Sequence, residues 1–363
     1  MKQSEHREPL IRISKRTTIA RGKAWGIRAV AILLALVLSG FIIYAIVKMN
    51  PLLVYAAMYK GAFGTKIRAW STIRDTMMML CVAVGLAPAF KMKFWNIGAE
   101  GQILVGGIAT AACMIYFNNL PTPLLFLLMI VTSIVAGGVW GLLPGIFKAR
   151  WNTNETLFTL MMNYVAVQLT SYCVALWENP FGSNAVGIIN QRTKIGWLPA
   201  LFGQSYLLNV LIVLALTIAV YVYLRYSKHG YEIAVVGNSE NTARYAGINV
   251  RKVYVRTMAL SGAICGIAGF LAVSGSSHTI SVQTAGGRGF TAIIVAWLAK
   301  FNTFVMILIS LLLVFLEKGA QEIASRYNLN DYVSSIITGI LLFFILGSEF
   351  FINYKVTFRR KHH

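Results

Sequence analysis

The sequence predicts an all-α, polytopic membrane protein with about ten transmembrane helices arranged as two inverted four-helix repeats. Three observations lead to this fold class. Of the 363 residues, 57% are hydrophobic and only 12% are charged, whereas a soluble domain carries about 25% charged residues. The mean hydropathy is +0.66, and many apolar runs approach the roughly 20 residues that a spanning helix needs. The charged residues lie mostly between these runs.

The charge balance is strongly basic, with 33 Lys and Arg against 12 Asp and Glu. Nucleic-acid-binding proteins collect such bases on a polar surface, but here the bases lie between apolar runs. This is the positive-inside pattern of a membrane protein, and it argues against nucleic acid as a partner. Residues 1–28 form a basic segment that we predict to be cytoplasmic. The run Ala29–Val47 exceeds the about 7–15 apolar residues of a signal peptide, so we interpret it as the first span.

Ten apolar segments are candidate spans. In chain order, they are Ala29–Val47, Thr76–Phe90, Ile97–Phe117, Leu124–Phe147, Thr156–Trp177, Tyr206–Leu224, Tyr254–Val273, Phe290–Leu298, Phe301–Leu316 and Tyr332–Phe351. Ten crossings that start inside also place the basic loop 227–253 and the basic tail 353–363 in the cytoplasm. The transmembrane domain is then 29–352. The segment 48–74 breaks the charge rule, because its five bases would face outward.

The predicted crossings suggest an internal repeat. Spans two to five, about 75–177, start and end outside, whereas spans seven to ten, about 254–352, start and end inside. Two four-helix units of opposite orientation are typical of an inverted repeat. Glycine-rich junctions at 94–102 and 285–290 open corresponding segments, where freed backbone must line protein or a cavity. The candidate pathway or half-helix residues at these junctions are Asn96, Gly98, Glu100, Gln102, Gly287, Gly289 and Phe290.

Three polar side chains within apolar segments have two possible roles each. An ionisable residue such as Glu100 is costly at membrane depth and is a functional candidate by default. A carboxylate in the first turn of a half-helix can instead cap free N–H groups and complement the helix dipole, which is the role we expect. Asn163 and Gln168 can either line a path for a hydroxylated solute or bond to neighbouring helices. Glu155 is interpreted as a helix-start residue, with Thr153 or Asn154 as the cap.

Glycines at four-residue spacing predict close helix contacts. They are Gly137, Gly141 and Gly145 in span four and Gly262 and Gly266 in span seven. Small residues at this spacing let helix backbones approach in lipid. The contact can be a subunit interface or packing inside one chain, and packing inside the chain is the expected outcome.

Several chemistries lack their motifs. The sequence has no phosphate-binding loop, no zinc-protease motif and no dinucleotide fingerprint, so energy must come from a partner or an ion gradient. The four cysteines have no metal-ligand spacing and are expected to pack as small apolar residues. The sequence contains no nucleophile–base pair that would predict an enzyme. An ion-coupled secondary transporter is disfavoured, because acidic residues within the spans are scarce.

The loop 227–253 carries a short predicted helix. Asn238 or Ser239 can cap it, it runs to Tyr245, and Gly247 can end it. A cytoplasmic helix parallel to the membrane is suited to dock a soluble partner, with binding to the lipid surface as the alternative. The candidate docking residues are Asn238, Ala243, Arg244, Ala246, Gly247 and Ile248.

Several motifs together resemble the branched-chain amino acid/ribose/simple-sugar permease family of ABC importers. The strongest is the run Asn96–Gln102. The others, in the family's order, are Gly61–Gly64, Glu155 with Met162–Tyr164, Gly237–Asn238 with Ala246–Ile248, and Gly289–Ala296. The resemblance covers roughly residues 50–350. It is closest to the larger permease of nucleoside importers that use a basic-membrane-type lipoprotein.

The resemblance implies the function and the partners. It implies a permease of the bacterial cytoplasmic membrane that imports nucleosides, or in the nearest alternative ribose or another simple sugar. The helix within 238–248 would be the coupling helix seated on an ATPase subunit, which binds ATP and Mg²⁺, so no cofactor is expected in this chain. A second, smaller permease and an extracytoplasmic substrate-binding lipoprotein complete the expected assembly.

Overall fold

The computed structural model describes residues 50–327 without a break, residues 11–15 and 354–358, and single helical positions within 22–44 and 336–350. In these residues, seven helices are long and apolar enough to cross a membrane, which confirms a multi-pass helical membrane protein. The predicted spans Ala29–Val47 and Tyr332–Phe351 fall largely outside the described residues. The count of ten and the two inverted repeats therefore stay predictions.

The described elements follow one another in this order. They are β1 (Ile11–Lys15), α1 (Pro51–Phe63), α2 (Lys66–Lys91), α3 (Ala99–Tyr116), α4 (Thr122–Trp151), α5 (Glu155–Leu176), α6 (Leu207–Tyr226), α7 (Lys228–Asn238), α8 (Glu240–Tyr245), α9 (Val250–Ala272) with a π-helical end (Val273–Ser277), α10 (Arg288–Leu298), α11 (Thr303–Arg326) and β2 (Tyr354–Phe358).

Helices also occur where hydropathy predicts no span. In the segment 48–74, α1 and the first turns of α2 are helical despite their bases. The Asn50 side chain accepts a hydrogen bond from the N–H of Leu52 at 2.9 Å, and Pro51 occupies the first turn. Both are helix-start signals, so local capping forms this helix where the apolar run is interrupted.

The helices that follow the two glycine-rich junctions differ in length. α3 has 18 residues and is long and apolar enough to be a candidate span. α10 has 11 residues, about 16 Å of helix, against a hydrocarbon core about 30 Å thick. The segment Phe290–Leu298 is therefore helical as predicted but too short to cross by itself.

Helix ends are fixed by local signals in the described chain. Asn152 ends α4 in the left-handed conformation at φ 50°, and Lys148 and Arg150 in the last turn complement the helix dipole. Asn154 caps α5, since its side chain accepts from the N–H groups of Thr156 at 3.1 Å and Leu157 at 3.2 Å. Asn154, and not Thr153, is thus the cap.

The chain divides into two compact units, residues 69–314 and residues 1–68 with 315–363. In the second unit, α1 packs against the last part of α11 through Val54, Met58, Leu316 and Ile323. Arg68 and Glu322 form an ion pair of 3.1 Å there. β1 pairs antiparallel with β2, from Ile11 opposite Phe358 to Lys15 opposite Tyr354. The all-α prediction omits this ribbon.

In the unit 69–314, α4 and α9 pack backbone to backbone. A Cβ on Gly141 would lie 2.5 Å from the carbonyl oxygen of Met258, and a Cβ on Gly262 would overlap the carbonyl oxygen of Gly137. Gly145 approaches the Met258 side chain in the same way. The glycines singled out by their spacing therefore lie at a helix contact inside the chain. In lipid, such close approach gains dispersion energy along the whole contact.

The turns rich in bases meet at one end of this unit. One groove there is lined by the turn after α2, the end of α4, the start of α5 and the junction of α7 and α8. A second groove joins the ends of α2, α6 and α10 with the start of α11. The bases found at this end include Lys91, Lys93, Lys148, Arg225 and Lys300.

Candidate functional site

The starts of α3 and α10 meet through one carboxylate. Glu100, in the first turn of α3, accepts hydrogen bonds from the backbone N–H of Gly287 at 2.7 Å and of Gly289 at 2.8 Å. The first N–H groups of a helix have no partner within the helix, and an unsatisfied one is costly away from water. Glu100 therefore caps a helix other than its own, 187 and 189 residues further along the chain.

Two glycines of this junction are required by its geometry. Gly287 has φ +74°, a conformation that L-residues with side chains seldom adopt. Gly289 is buried, and a Cβ there would lie 2.5 Å from the backbone nitrogen of Glu100. Larger residues would thus push α10 away from the carboxylate. Phe290 follows them and is exposed on the surface of α10.

The backbone that precedes α3 is not helical, and α5 binds both polar groups of Ile97 in it. The N–H of Ile97 donates to the Thr159 hydroxyl at 3.1 Å, and the Ile97 carbonyl accepts from the Asn163 amide at 2.9 Å. Asn163 also accepts from the N–H of Gly101 at 2.9 Å. Asn163 thus bonds to a neighbouring segment, while Gln168 is exposed on α5.

Asn96 and Gln102 belong to a buried polar network. The Asn96 amide donates to the Ser261 hydroxyl of α9 at 3.1 Å and to the Gln102 side chain at 3.4 Å. Its carbonyl oxygen accepts from the N–H of Gly98 at 3.0 Å. Both side chains are at most 1% exposed, so they stabilise the junction and do not line an open path in this conformation.

A partly buried ion cluster adjoins the start of α10. Asp75 of α2 pairs with Arg74 at 3.0 Å and with Arg288 at 3.4 Å. The Arg74 guanidinium also lies 5.0 Å from the centroid of the Tyr206 ring. None of these three charged residues was among the predicted site residues. An acidic residue beside an apolar run and an arginine within a glycine-rich junction were the signals that could have found the cluster.

Two tryptophans form a partly exposed stack in the same unit. The rings of Trp95 and Trp297 are 5.3 Å apart with an interplanar angle of 25°, and Phe90 packs edge-on against both. Trp95 is 44% exposed and Trp297 is 43% exposed. They offer an aromatic surface between the non-helical segment and the end of α10. Neither was among the predicted site residues.

The helix predicted in the loop 227–253 is present as α8. The Ser239 side chain accepts from the N–H of Thr242 at 3.3 Å, and Gly247 follows the helix with φ +75°. Ala243 is buried, so it faces the protein and not a partner. The remaining predicted docking residues are exposed or partly exposed: Asn238, Arg244, Ala246, Gly247 and Ile248.

Tyr245, the last residue of α8, has an almost fully exposed side chain. It is 94% exposed, although large aromatic side chains usually bury most of their area. The predicted docking residues do not include it. Its position in a short capped helix was the available signal, because exposed tyrosines are enriched at protein interfaces.

α7 and α8 are anchored to the helices below them. A Cβ on Gly237 would overlap the carbonyl oxygen of Lys91, so the end of α7 lies directly on the turn after α2. The Tyr254 hydroxyl of α9 donates to the Glu240 carboxylate of α8. These two contacts join the exposed helix both to the segment that leads into α3 and to α9.

His229 ties the start of α7 to α6 and α9. Its Nδ1 lies 2.6 Å from the Tyr223 hydroxyl, and its Nε2 lies 3.3 Å from the Thr257 hydroxyl. Burial lowers the pKa of His229 below its ordinary value, the Glu232 carboxylate opposes this shift and the Arg256 guanidinium adds to it. The packed surroundings of the ring therefore favour its neutral form.

No metal centre is found within the described residues, where no three His, Cys, Asp or Glu side chains lie close enough to hold an ion. Cys81, Cys113 and Cys265 are buried and Cys173 is partly buried, and all four are free thiols.

Known proteins are similar in sequence to most of this chain. Residues 70–346 match the family described as branched-chain amino acid transport system / permease component. The guanosine ABC transporter permease protein NupP of Bacillus subtilis is 31% identical over 81% of this chain and 85% of its own length. The glucose ABC transporter permease protein TsgB13 of Haloferax volcanii is 27% identical over 95% of this chain and 93% of its own. The nucleoside ABC transporter permease protein NupB of Lactococcus lactis is 25% identical over 88% and 91%. The resemblance seen in the motifs is thereby confirmed.

Proposed function

Because the chain belongs to the branched-chain amino acid transport system / permease component family, it is a permease subunit of an ABC importer, and we propose that its cargo is a nucleoside. It is a transporter subunit and not an enzyme. The relative named as a guanosine permease, at 31% identity over 81% of this chain, is the observation that carries the nucleoside proposal. The relative named as a nucleoside permease supports it.

A simple sugar is the second candidate cargo. It is favoured by the relative named as a glucose permease, which covers 95% of this chain at 27% identity. A nucleoside contains a sugar and a flat base, so the two candidates differ in the aromatic part of the cargo.

The energy source is proposed to be a separate ATPase that docks on α8. Arg244 and Tyr245 are exposed on this helix, and Gly247 is exposed just after it. α7 and α8 contact the turn after α2 and α9. A displacement of α8 by the ATPase would therefore be transmitted to the turn after α2 and to α9. These two segments are joined by the hydrogen bond from Asn96 to Ser261. Aromatic and arginine side chains are the usual anchors of such interfaces.

The remaining partners and the orientation follow from the same proposal. We expect a second, smaller permease, an extracytoplasmic lipoprotein that selects the cargo, and ATP with Mg²⁺ bound by the ATPase. The basic end formed by the turns after α2, α4, α6 and α10 supports a cytoplasmic location for α7 and α8. The pairing of β1 with β2 supports placing both chain ends on one side, as the positive-inside pattern predicts.

The proposal is tested by uptake in cells that carry or lack this chain, with its partner subunits present. Labelled guanosine, another nucleoside, ribose, glucose and leucine are compared. Loss of nucleoside uptake alone is the expected result, and loss of sugar uptake alone would replace the cargo. Uptake should also be lost when the partner ATPase is replaced by a variant that binds ATP but cannot hydrolyse it. Uptake that persists with this variant would favour an ion-coupled secondary transporter.

A further inference from the structure

A basic groove separates the end of α4 from the start of α9. It encloses about 490 Å³ and carries four cationic side chains, Arg150 from α4 and Arg251, Lys252 and Arg256 from α9. All four are exposed, and within the part of the chain that the structure describes none forms an ion pair. Among the described residues, no carboxylate therefore lies within ion-pair distance of the four bases of this groove.

The position of two bases makes the imbalance larger. Arg251 and Lys252 occupy the first turn of α9, which contains no acidic residue. The start of a helix already carries a partial positive charge, so cations there are unfavourable unless an anion lies nearby. The four bases and the helix end together form a site for an anion with several acceptor oxygens.

The groove is also lined with apolar groups. Ile146, Ala149 and Val255 supply its walls. Beside it, Trp151 is 60% exposed and packs against Phe147 with ring centroids 5.0 Å apart. Exposed tryptophans mark the level of the lipid headgroups, and lysine and arginine near helix ends extend their charges to the same level.

We propose that this groove binds the headgroup of an anionic phospholipid. The guanidinium and ammonium groups would hold the phosphate, and the apolar walls would hold the glycerol and the first methylenes of the chains. Grooves that combine bases with helix ends at the cytoplasmic side recognise anionic headgroups in this way. A free phosphate would use the bases but leave the apolar walls uncovered, so the membrane lipid fits better.

The test uses the full-length chain purified with its partner subunits, stripped of lipid, and titrated with phosphatidylglycerol or with phosphatidylcholine of the same chains. Native mass spectrometry measures the lipid bound at each concentration. Phosphatidylglycerol should bind more tightly, and Arg251→Gln with Lys252→Gln should weaken it about 30-fold, since each base near the surface contributes roughly a fivefold factor. Phosphatidylcholine binding should not change.

One control and one further groove variant make this result specific. Arg192→Gln with Lys194→Gln removes the same charge from an exposed loop that does not line the groove, and should leave phosphatidylglycerol binding unchanged. Arg150→Gln, on the other helix, should weaken it about fivefold with an unchanged thermal midpoint.

Three outcomes would overturn the proposal. They are equal binding of the two lipids, an unchanged affinity in the groove variants, and competition by inorganic phosphate at the same concentration as the lipid. The uptake measurement is separate, so the loss of this lipid site leaves the transport function intact as a hypothesis.

Discussion

The carboxylate of Glu100 accepts a hydrogen bond of 2.8 Å from the backbone N–H of Gly289, a residue 189 positions away. Together with the bond from Gly287, this contact gives two backbone N–H groups at the start of α10 a hydrogen-bond partner inside the protein. α10 is too short to cross a membrane, so its first turn would otherwise leave N–H groups without partners. The junction is thus held by charge-assisted bonds, the stronger class of hydrogen bond.

Glu100→Ala is expected to destabilise the protein by about 1–3 kcal/mol for each of the two N–H groups that it leaves unpaired. Glu100→Gln should cost less, because its amide oxygen can still accept one bond. Thermal unfolding in detergent gives the comparison. Glu178→Ala is the control, since Glu178 also accepts two backbone N–H bonds but lies in an exposed loop where water can replace it. Equal effects of the two alanine variants would contradict the capping role.

Gly262→Ala should lower stability by about 1–3 kcal/mol, because the added methyl would overlap the backbone of α4. The matched control is Gly138→Ala, where a Cβ would meet no atom nearer than 3.5 Å. Thermal midpoints of the two variants are the measurement. If Gly138→Ala proves the more damaging, the contact of α4 with α9 is not where the structure has it.

Gly247→Asp is expected to abolish uptake while leaving the chain folded and inserted. The substitution places a carboxylate on the exposed end of α8, where the ATPase is proposed to bind, and aspartate tolerates positive φ better than most residues. Gly203→Asp is the matched control, at φ +72° and with open space around it, far along the chain from α8. Uptake at the normal rate in Gly247→Asp would rule out the coupling assignment.

Tyr245→Ala should weaken ATPase binding about 30-fold or more, as loss of an interface anchor does. Affinity is measured between the purified permease and the nucleotide-free ATPase. Phe181→Ala removes a side chain that is 95% exposed, against 94% for Tyr245, and should have no effect. An ATPase affinity that is unchanged in Tyr245→Ala would place the interface elsewhere.

Acidic pH should loosen the docking of α7. Burial lowers the pKa of His229 below the ordinary value of 6.5, so the unfolded loop takes up a proton first as the pH falls. The stabilisation is complete above about pH 6.5 and is lost as the pH falls below it. Hydrogen exchange in 228–238, corrected for intrinsic rates, should accelerate at about pH 5.5.

His229→Gln should remove the pH dependence of hydrogen exchange in 228–238. His278, whose pKa is also lowered by burial, is unchanged in this variant, so any pH effect that it causes should persist. An equal acceleration in the wild type and in His229→Gln would assign the effect to another group.

Sequence reasoning located the helices whose apolar runs are continuous, and it placed the glycines of α4 and α9 at a helix contact. α1 was missed because Lys60 and the bases that follow interrupt the hydropathy, although Asn50 and Pro51 signal a helix start. The β1–β2 ribbon was not predicted, although Ile11–Lys15 alternates apolar and polar residues as a strand does. An alternation over only five residues is a weak signal compared with a long apolar run.

The contacts of the junction could not be predicted, since they join residues far apart in the chain. The sequence indicates that Glu100 caps a helix, but nothing local indicates that the helix is α10. Asp75 and Arg288 are separated by 213 residues, and Trp95 and Trp297 are similarly distant. Such pairs depend on how helices pack, which hydropathy and spacing do not encode.

The contact of α4 with α9 limits how the protein can change shape. Where carbonyl oxygens of one helix touch α-carbons of the next, as at Gly137 and Gly262, neither helix can slide or roll without a collision. The pair must therefore move as one rigid body. An opening that alternates between the two faces of the membrane has to use other helix contacts, where side chains meet and can repack. The groove between Arg150 and Arg251 would keep its width throughout the cycle.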